Sequence, residues 1–506
     1  MRNMPRPRSR LSASVFILCG LVLFSAVASG EGLAIDFNLR LSNRFFIKRN
    51  QLDLESGNPL DLRFDKDELG YSAFAAAGLD FDFWQAIALH LSVDSGELKF
   101  RPLGSYDPDL AASVTASSRT VMDEAERTGF LREAYLSSSV GRDGWFSVKA
   151  GKMLISTGNG FIMDNYALGA AVGADLDLGF EVPWKISVDA LLPNGDFTND
   201  GKKSPLVYFD TAYLMSFFEE VGVFFAWYQD NDNSIGDIMR SVIGEAILNG
   251  QLSGNVDQAL AEAVMAADIH THGDLFWVGL RANKIFERAS MSLTAIVEFG
   301  KFDFAIDLPA LPQLPDKITG RPSCFGGMAD LSFYYDLTDG LTLGGFFLFL
   351  SGETFSKDEV RRGALNKYNS FISVYPYITR TNLFFSGGMN QNFSARGFSA
   401  SGINGRGVLA PGLTLGWDIV EDLNVRLVGA ALFSHGAHLT SEKRFYGIEA
   451  DLNAEWKITN FLSILLEVDY LHTGSFFNFE KPLGNPQGFV AEPEAFKVML
   501  GLDLFY

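Results

Sequence analysis

The chain closes on Phe496-Lys497-Val498-Met499-Leu500-Gly501-Leu502-Asp503-Leu504-Phe505-Tyr506. The even positions, Phe496, Val498, Leu500, Leu502, Leu504 and Tyr506, are all large and apolar, while Lys497, Met499, Gly501, Asp503 and Phe505 are mixed or polar. Successive side chains of a strand point to opposite faces. The spacing therefore predicts a strand with one face for an apolar phase and one that tolerates water. A terminal strand of a soluble sheet would show the same alternation, so the decision rests on whether the pattern recurs.

It recurs along the chain. Leu33, Ile35, Phe37, Leu39 and Leu41 alternate with Asp36, Asn38, Arg40 and Ser42. Met291, Leu293, Ala295, Val297 and Phe299 alternate through Ser292, Thr294 and Glu298. Ile448, Ala450, Leu452, Ala454 and Trp456 alternate with Glu449, Asp451, Asn453 and Glu455. After a turn at Thr459-Asn460, Leu462, Ile464, Leu466, Val468 and Tyr470 return past Glu467 and Asp469. Connections alternate too. Short turns fall near residues 84, 142, 182, 219, 287, 339, 421 and 459, and long loops fall at 95–128, 154–165, 192–205, 231–273, 303–322, 352–407, 434–444 and 472–493. Short turns on one side and long loops on the other, with an even strand count, are the rhythm of a transmembrane barrel. The expected fold is all-β, a single antiparallel barrel of about eighteen strands over residues 31–506, with its short turns in the periplasm.

The last residues also resemble the C-terminal signal of bacterial outer-membrane β-barrel porins, through Gly501, Leu504 and Tyr506. Met499 departs from the polar residue usual two places before the glycine. The resemblance implies recognition by the barrel-assembly machinery and residence in the outer membrane of a Gram-negative bacterium. A second, weaker resemblance lies in Leu131-Arg132-Glu133-Ala134-Tyr135-Leu136, Val148-Lys149-Ala150-Gly151-Lys152 and Gly158-Asn159-Gly160. This segment is similar to the early strands of alginate-export-type porins. That family lines its channel with positive charge, whereas this chain is acidic.

The N-terminus opens with Arg2, Arg6, Arg8 and Arg10, followed by an apolar run from Leu11 to Val27 and small residues to Gly30. It reads as a signal peptide, residues 1–28, with cleavage after Ala28 or Gly30. Beyond it no apolar run approaches the ~20 residues of a membrane helix, although 47% of the chain is hydrophobic. The formal net charge of −20 argues against nucleic acid as a partner. Cys324 is the lone cysteine after the signal, so no internal disulfide is expected.

The lumen phase carries the candidate pore-lining residues Asp36, Arg40, Asp94, Glu133, Lys149, Asp189, Arg281, Glu298, Arg426, Glu449, Asp451, Glu455, Glu467 and Asp469. Unpaired charges in such numbers do not fit a soluble core but suit a water-filled channel. Acids outnumber bases on this phase, which predicts a mild cation preference. Residues 235–247 and 255–268 carry helical periodicity, which predicts a helical hairpin in loop 231–273 that restricts the mouth.

Neither catalytic residues nor a cofactor are expected, because no hydrolase, metalloprotease or nucleotide-binding signature occurs in a fitting context. Asp230-Asn231-Asp232-Asn233 opens like a calcium loop, yet its glycine comes one place late. His270, His272 and Asp274 form a weak metal pattern, and no metal site is expected. The function read from these features is a porin for small hydrophilic solutes. A lidded export or uptake barrel for saccharide or hydrophobic compounds is the alternative, and a barrel that sheathes a partner protein is a third reading. Expected partners are outer-membrane lipid, the assembly machinery and small solutes, with a homo-oligomer compatible with the class.

Overall fold

The computed structural model describes residues 33–52, 64–83, 87–95, 98–100, 131–140, 145–176, 184–193, 204–213, 218–231, 269–307, 317–354, 367–374, 378, 380–385, 402–437, 442–477 and 494–506. The signal-peptide expectation and the helical hairpin at 235–268 lie outside these residues.

The strands are β1 (Leu33–Leu52), β2 (Phe64–Phe83), β3 (Ile87–Asp94), β4 (Leu98–Phe100), β5 (Leu131–Val140), β6 (Phe146–Thr157) and β7 (Met163–Leu176). Then come β8 (Trp184–Leu192), β9 (Leu206–Tyr213), β10 (Glu220–Asp230), β11 (Ile269–Ile285), β12 (Ala289–Asp307), β13 (Lys317–Gly320) and β14 (Ser323–Thr338). The last are β15 (Leu341–Leu350), β16 (Lys367–Tyr368), β17 (Val408–Val420), β18 (Leu423–Phe433), β19 (Phe445–Thr459), β20 (Leu462–Thr473) and β21 (Glu494–Phe505). Three short pieces, β4, β13 and β16, are accessory. The remaining eighteen strands each pair antiparallel with their neighbours, and β1 pairs with β21 to close the ring. The expected barrel is thus the observed one. One connection differs: the long loop expected at 154–165 is a tight turn between β6 and β7. Gly158, Asn159 and Gly160 all take positive φ there, and two glycines lower the cost of that path.

The alternation has its physical basis in the closed ring. On β21, Leu500 and Leu502 face out and are exposed, while Met499, Gly501 and Asp503 face in and are buried. On β12 the outward row runs Met291, Leu293, Ala295, Val297, Phe299 and then turns charged at Lys301 and Asp303. About ten tilted strand residues span about 25 Å, the height of a membrane-facing apolar band. Trp145, Phe286, Trp417, Trp456, Phe461 and Tyr506 are exposed at the short-turn rim. On the opposite side Phe276 stacks on Phe299 at 5.5 Å, just below the charged positions. These rings mark the two interfaces.

The seam is charged on its inner face. Arg44 on β1 is buried and ion-paired to Asp503 on β21, and Arg40 reaches the other oxygen of Asp503 at 3.0 Å. The last residue joins the ladder: Tyr506 N–H donates to Leu39 O at 2.8 Å, and Leu39 N–H donates to Tyr506 O at 2.9 Å.

Candidate functional site

The interior is shaped by the connection between β15 and β17. Its described residues 369–374, 378 and 380–385 form a strap packed against the lumen wall. The strap is rich in apolar residues, and Phe371, Ile372, Ile378 and Phe385 are buried against inward residues of the wall such as Trp277, Ile296 and Met328. Burying a side chain of that size contributes about 1.5–3 kcal/mol. The apolar run therefore explains why this segment leaves the solvent.

A strap with no strand partner must still satisfy its peptide groups. The wall carboxylates do this. Glu298 Oε2 accepts Ile372 N–H at 2.6 Å, and Trp277 Nε1 donates to Ile372 O at 3.1 Å. Ser373 Oγ donates to Phe161 O at 2.6 Å and Val374 N–H to Ile162 O at 2.8 Å, so the tight β6–β7 turn also supports the strap. At the far end Glu449 accepts Thr381 Oγ1 at 2.8 Å, Phe384 N–H at 3.0 Å and the N–H of Leu383. Asp451 accepts Asn382 N–H at 3.0 Å, and Asn382 Nδ2 donates to Asp469 at 2.6 Å and to Asn453 at 3.1 Å. Arg380 pairs with Asp330 and lies 5.5 Å over the Phe346 ring. Lys497 on β21 pairs with Glu467 and, at 3.0 Å, with Asp469. Each of the strap's bonds to the wall carboxylates gives a strap donor an acceptor away from water.

The root of the strap is a crossing of four segments. Glu353 N–H donates to Gly405 O at 2.7 Å, Gly436 N–H donates to Arg406 O at 2.8 Å, and Arg406 Nη1 donates to Glu353 O at 3.1 Å. Asn369 N–H donates to Glu353 Oε1, whereas Glu353 Oε2 has no hydrogen-bond partner among the described residues. Glu353 lies beyond the end of β15 and is fully buried. Burial pushes its carboxyl up to about 7, against the opposing pull of the Asn369 N–H and the Arg406 guanidinium. A Cβ at position 436 would meet Glu353 O at 1.7 Å, so glycine is what lets these chains cross.

The strap changes the reading of the expected pore lining. Glu298, Glu449, Asp451, Glu467 and Asp469 lie on the lumen phase, but they are buried under the strap or beside Lys497 instead of lining open water. Asp189 is also buried. Asp36, Lys149 and Arg426 are exposed, and Glu455 is partly so, near the short-turn rim. Arg40 is taken by Asp503, and Arg281 by Asp210 and Glu220. Asp94 lies 3.6 Å from Arg132, and Glu133 meets His90 and Ser92. Arg132 donates to the Tyr166 hydroxyl, while Lys152 is buried and donates to Leu131 O at 2.8 Å. His272 Nδ1 lies 3.1 Å from Asp230 O, and His270 lies 3.6 Å from Asp307.

Sequence reasoning passed over Arg380, Thr381, Asn382 and Glu353. A signal was present: the 367–385 stretch contains Tyr368, Phe371, Ile372, Val374, Ile378, Leu383, Phe384 and Phe385 in what reads as an external loop. So many apolar residues in a loop require cover.

No family model matches the chain, and no curated protein matches it. Solved structures do resemble it. The crystal structure of OccK11 (OpdR) of Pseudomonas aeruginosa aligns over 93% of this chain and 95% of its own, at 9% identity and a TM-score of 0.44. The outer membrane channel DcaP of Acinetobacter baumannii aligns over 94% and 98%, at 11% identity and a TM-score of 0.40. OccK9 (OpdG) of Pseudomonas aeruginosa aligns over 93% and 98%, at 11% identity and a TM-score of 0.45. The ring closure, the apolar outer band and the exposed aromatics define the class by themselves: this is a closed antiparallel β-barrel of eighteen main strands with a membrane-facing outer surface.

Proposed function

We propose that the chain is an outer-membrane channel for passive diffusion of small hydrophilic solutes, with a lumen narrowed by the strap residues 369–374, 378 and 380–385. The observation that carries this reading is the strap itself: an inward-folded segment fixed to both walls by Glu298, Asp330, Glu449 and Asp451. A segment held this way narrows the lumen. It also takes up the space that a barrel sheathing a partner protein would need, so that reading falls behind.

Lumen-phase acids still open to water include Asp36, Asp80, Asp82, Asp94, Glu133, Asp175, Asp336, Asp418 and Glu455, against the bases Arg132, Lys149, Lys185, Arg426 and Lys457. Their balance supports a mild cation preference. Salt screens such wall charges within about 8 Å at physiological ionic strength, so the preference is strongest in dilute salt. Planar-bilayer recording tests both statements. A stable open conductance with a cation-signed reversal potential under a salt gradient is expected. A silent barrel moves the lidded export or uptake reading ahead, which the buried apolar residues of the strap favour. Anion preference assigns control of the constriction to Arg132 and its neighbours.

A further inference from the structure

β5 and β6 run together from Val140 and Phe146 up to Ala134 and Lys152, and there their ladder stops. Both strands continue beyond that point. Leu131 and Glu133 of β5 stay in register with Val93 and Ser92 of β3, and residues 153–157 of β6 stay in register with residues 163–167 of β7. Among the described residues no backbone pair joins 131–133 to 153–157. The wall therefore splits between two strands that are each held on their other side.

Gly151 marks the start of the split. Its φ of +139° is a conformation that side-chain-bearing residues rarely adopt, and a Cβ there would meet Ala134 O at 2.2 Å. Glycine lets the two backbones approach closely and lets β6 turn away from β5 one residue before the ladder ends.

Side chains close the gap. Glu133 Oε1 accepts the Leu154 N–H at 3.2 Å, and Lys152 Nζ donates to Leu131 O at 2.8 Å. Arg132 donates to the Tyr166 hydroxyl on β7, with its guanidinium 5.1 Å from the centre of that ring. The same guanidinium lies 5.7 Å from the Phe74 ring, and Arg132 Nη1 lies 3.6 Å from Asp94. The bonds of a backbone ladder break together, whereas each of these contacts is released by rotating one side chain.

Apolar surface reaches the split from both faces of the wall. Leu154 is exposed on the outer face. Ile155, its neighbour on the lumen phase, packs against the buried apolar cluster that also holds Phe161, Ile162 and Phe371 of the strap. A hydrated ion gains nothing from such a lining, but an apolar molecule does. The split lies on the long-loop half of the wall, which in a transmembrane barrel meets the outer leaflet.

We propose that the split between residues 131–133 and 153–157 is a lateral portal, through which a small apolar solute passes between the lumen and the outer leaflet. Glu133, Lys152 and Arg132 form its latch. The proposal goes beyond the aqueous channel: hydrated solutes follow the barrel axis, whereas an apolar one leaves through the wall.

The test uses the full-length barrel in vesicles with a lipopolysaccharide outer leaflet. The probe is N-phenylnaphthylamine, an apolar fluorophore that brightens on entering the acyl region. Lipopolysaccharide slows direct entry of such a probe, so the wild-type barrel is expected to speed uptake severalfold over barrel-free vesicles. Glu133→Cys with Met153→Cys, in a Cys324→Ala background, places a thiol on each side of the split. A short bis-methanethiosulfonate linker across these thiols is expected to abolish the gain, and dithiothreitol to restore it. The same linker on Ser137→Cys with Lys149→Cys, a pair that the ladder already holds, is expected to leave uptake unchanged. Arg132→Ala, which removes one latch contact and no ladder bond, is expected to raise uptake further. Heat-modifiable migration on gels verifies that each variant is folded. Ion conductance is recorded on the same preparations, so a silent barrel that still takes up the probe defeats the channel reading and supports the portal. Wild-type uptake at the barrel-free rate, or uptake that the link between positions 133 and 153 leaves unchanged, overturns the proposal.

Discussion

Glu298, in the middle of β12, accepts the backbone N–H of Ile372, 74 residues further along the chain, at 2.6 Å. A wall carboxylate that reads as pore lining is thereby an anchor of the segment that packs inside the barrel. Replacement of Glu298 by alanine leaves a buried N–H without an acceptor, at about 1–3 kcal/mol. Single-channel recordings of Glu298→Ala are expected to show higher or noisier conductance, with the barrel itself still resistant to heat in detergent. Conductance indistinguishable from wild type would show that Ile372 is held by packing alone.

Glu449 serves three donors, from Thr381, Leu383 and Phe384, whereas Asp451 serves one from Asn382. Glu449→Ala is therefore expected to free the 381–384 end more than Asp451→Ala does. Limited proteolysis in mild detergent reads this as faster cleavage within the strap. The reverse order would mean that Asn382, not Glu449, carries the anchor.

Glu353 gives the strap root a pH dependence. Its carboxyl is raised from an ordinary 4.5 to about 7. The packed root holds the proton more tightly than the released root does, so packing is most favourable below about pH 4.5. It weakens as pH rises through the window to about 7 and then levels off. The full swing is about 3 kcal/mol at 1.36 kcal/mol for each pH unit between the two values. Gating noise is expected to increase from pH 5 to pH 8, and Glu353→Gln is expected to flatten that rise. A wild-type profile that is flat over this range would remove Glu353 from the account.

Asp503 closes the ring from inside by pairing with Arg44 and Arg40. Asp503→Ala strands the buried Arg44, and losing one partner of a buried pair costs about 3–5 kcal/mol. The unfolding midpoint in guanidinium is expected to fall, while Asp36→Ala, an exposed site, leaves it unchanged. Equal midpoints for the two variants would place the seam's strength in its backbone ladder.

Removal of Phe505 and Tyr506 deletes two backbone bonds to Leu39 and one to Phe461. The truncated chain is expected to give less folded, heat-modifiable barrel than the full chain under the same refolding conditions. An equal yield would make the terminal aromatics dispensable for closure.

The sequence by itself determined the barrel. Period-two alternation, as in Met291 to Phe299 or Leu500 to Leu504, states which face meets the apolar phase, because a strand leaves its side chains only two directions. The even count and the alternation of short and long connections then left one closed antiparallel topology. Within the lumen phase the sequence could not separate Glu455, which stays partly open to water, from Glu449, which is buried. Both occupy the same phase of the same strand. What separates them is a segment more than sixty residues away in the chain that folds across one and not the other. Likewise nothing local to His90 indicates that Asp80 and Glu133 flank it, since their proximity comes from the pairing register of three strands. Period follows from the geometry of one strand, whereas cover and convergence depend on contacts between strands and loops distant in sequence. Only the tertiary structure decided those.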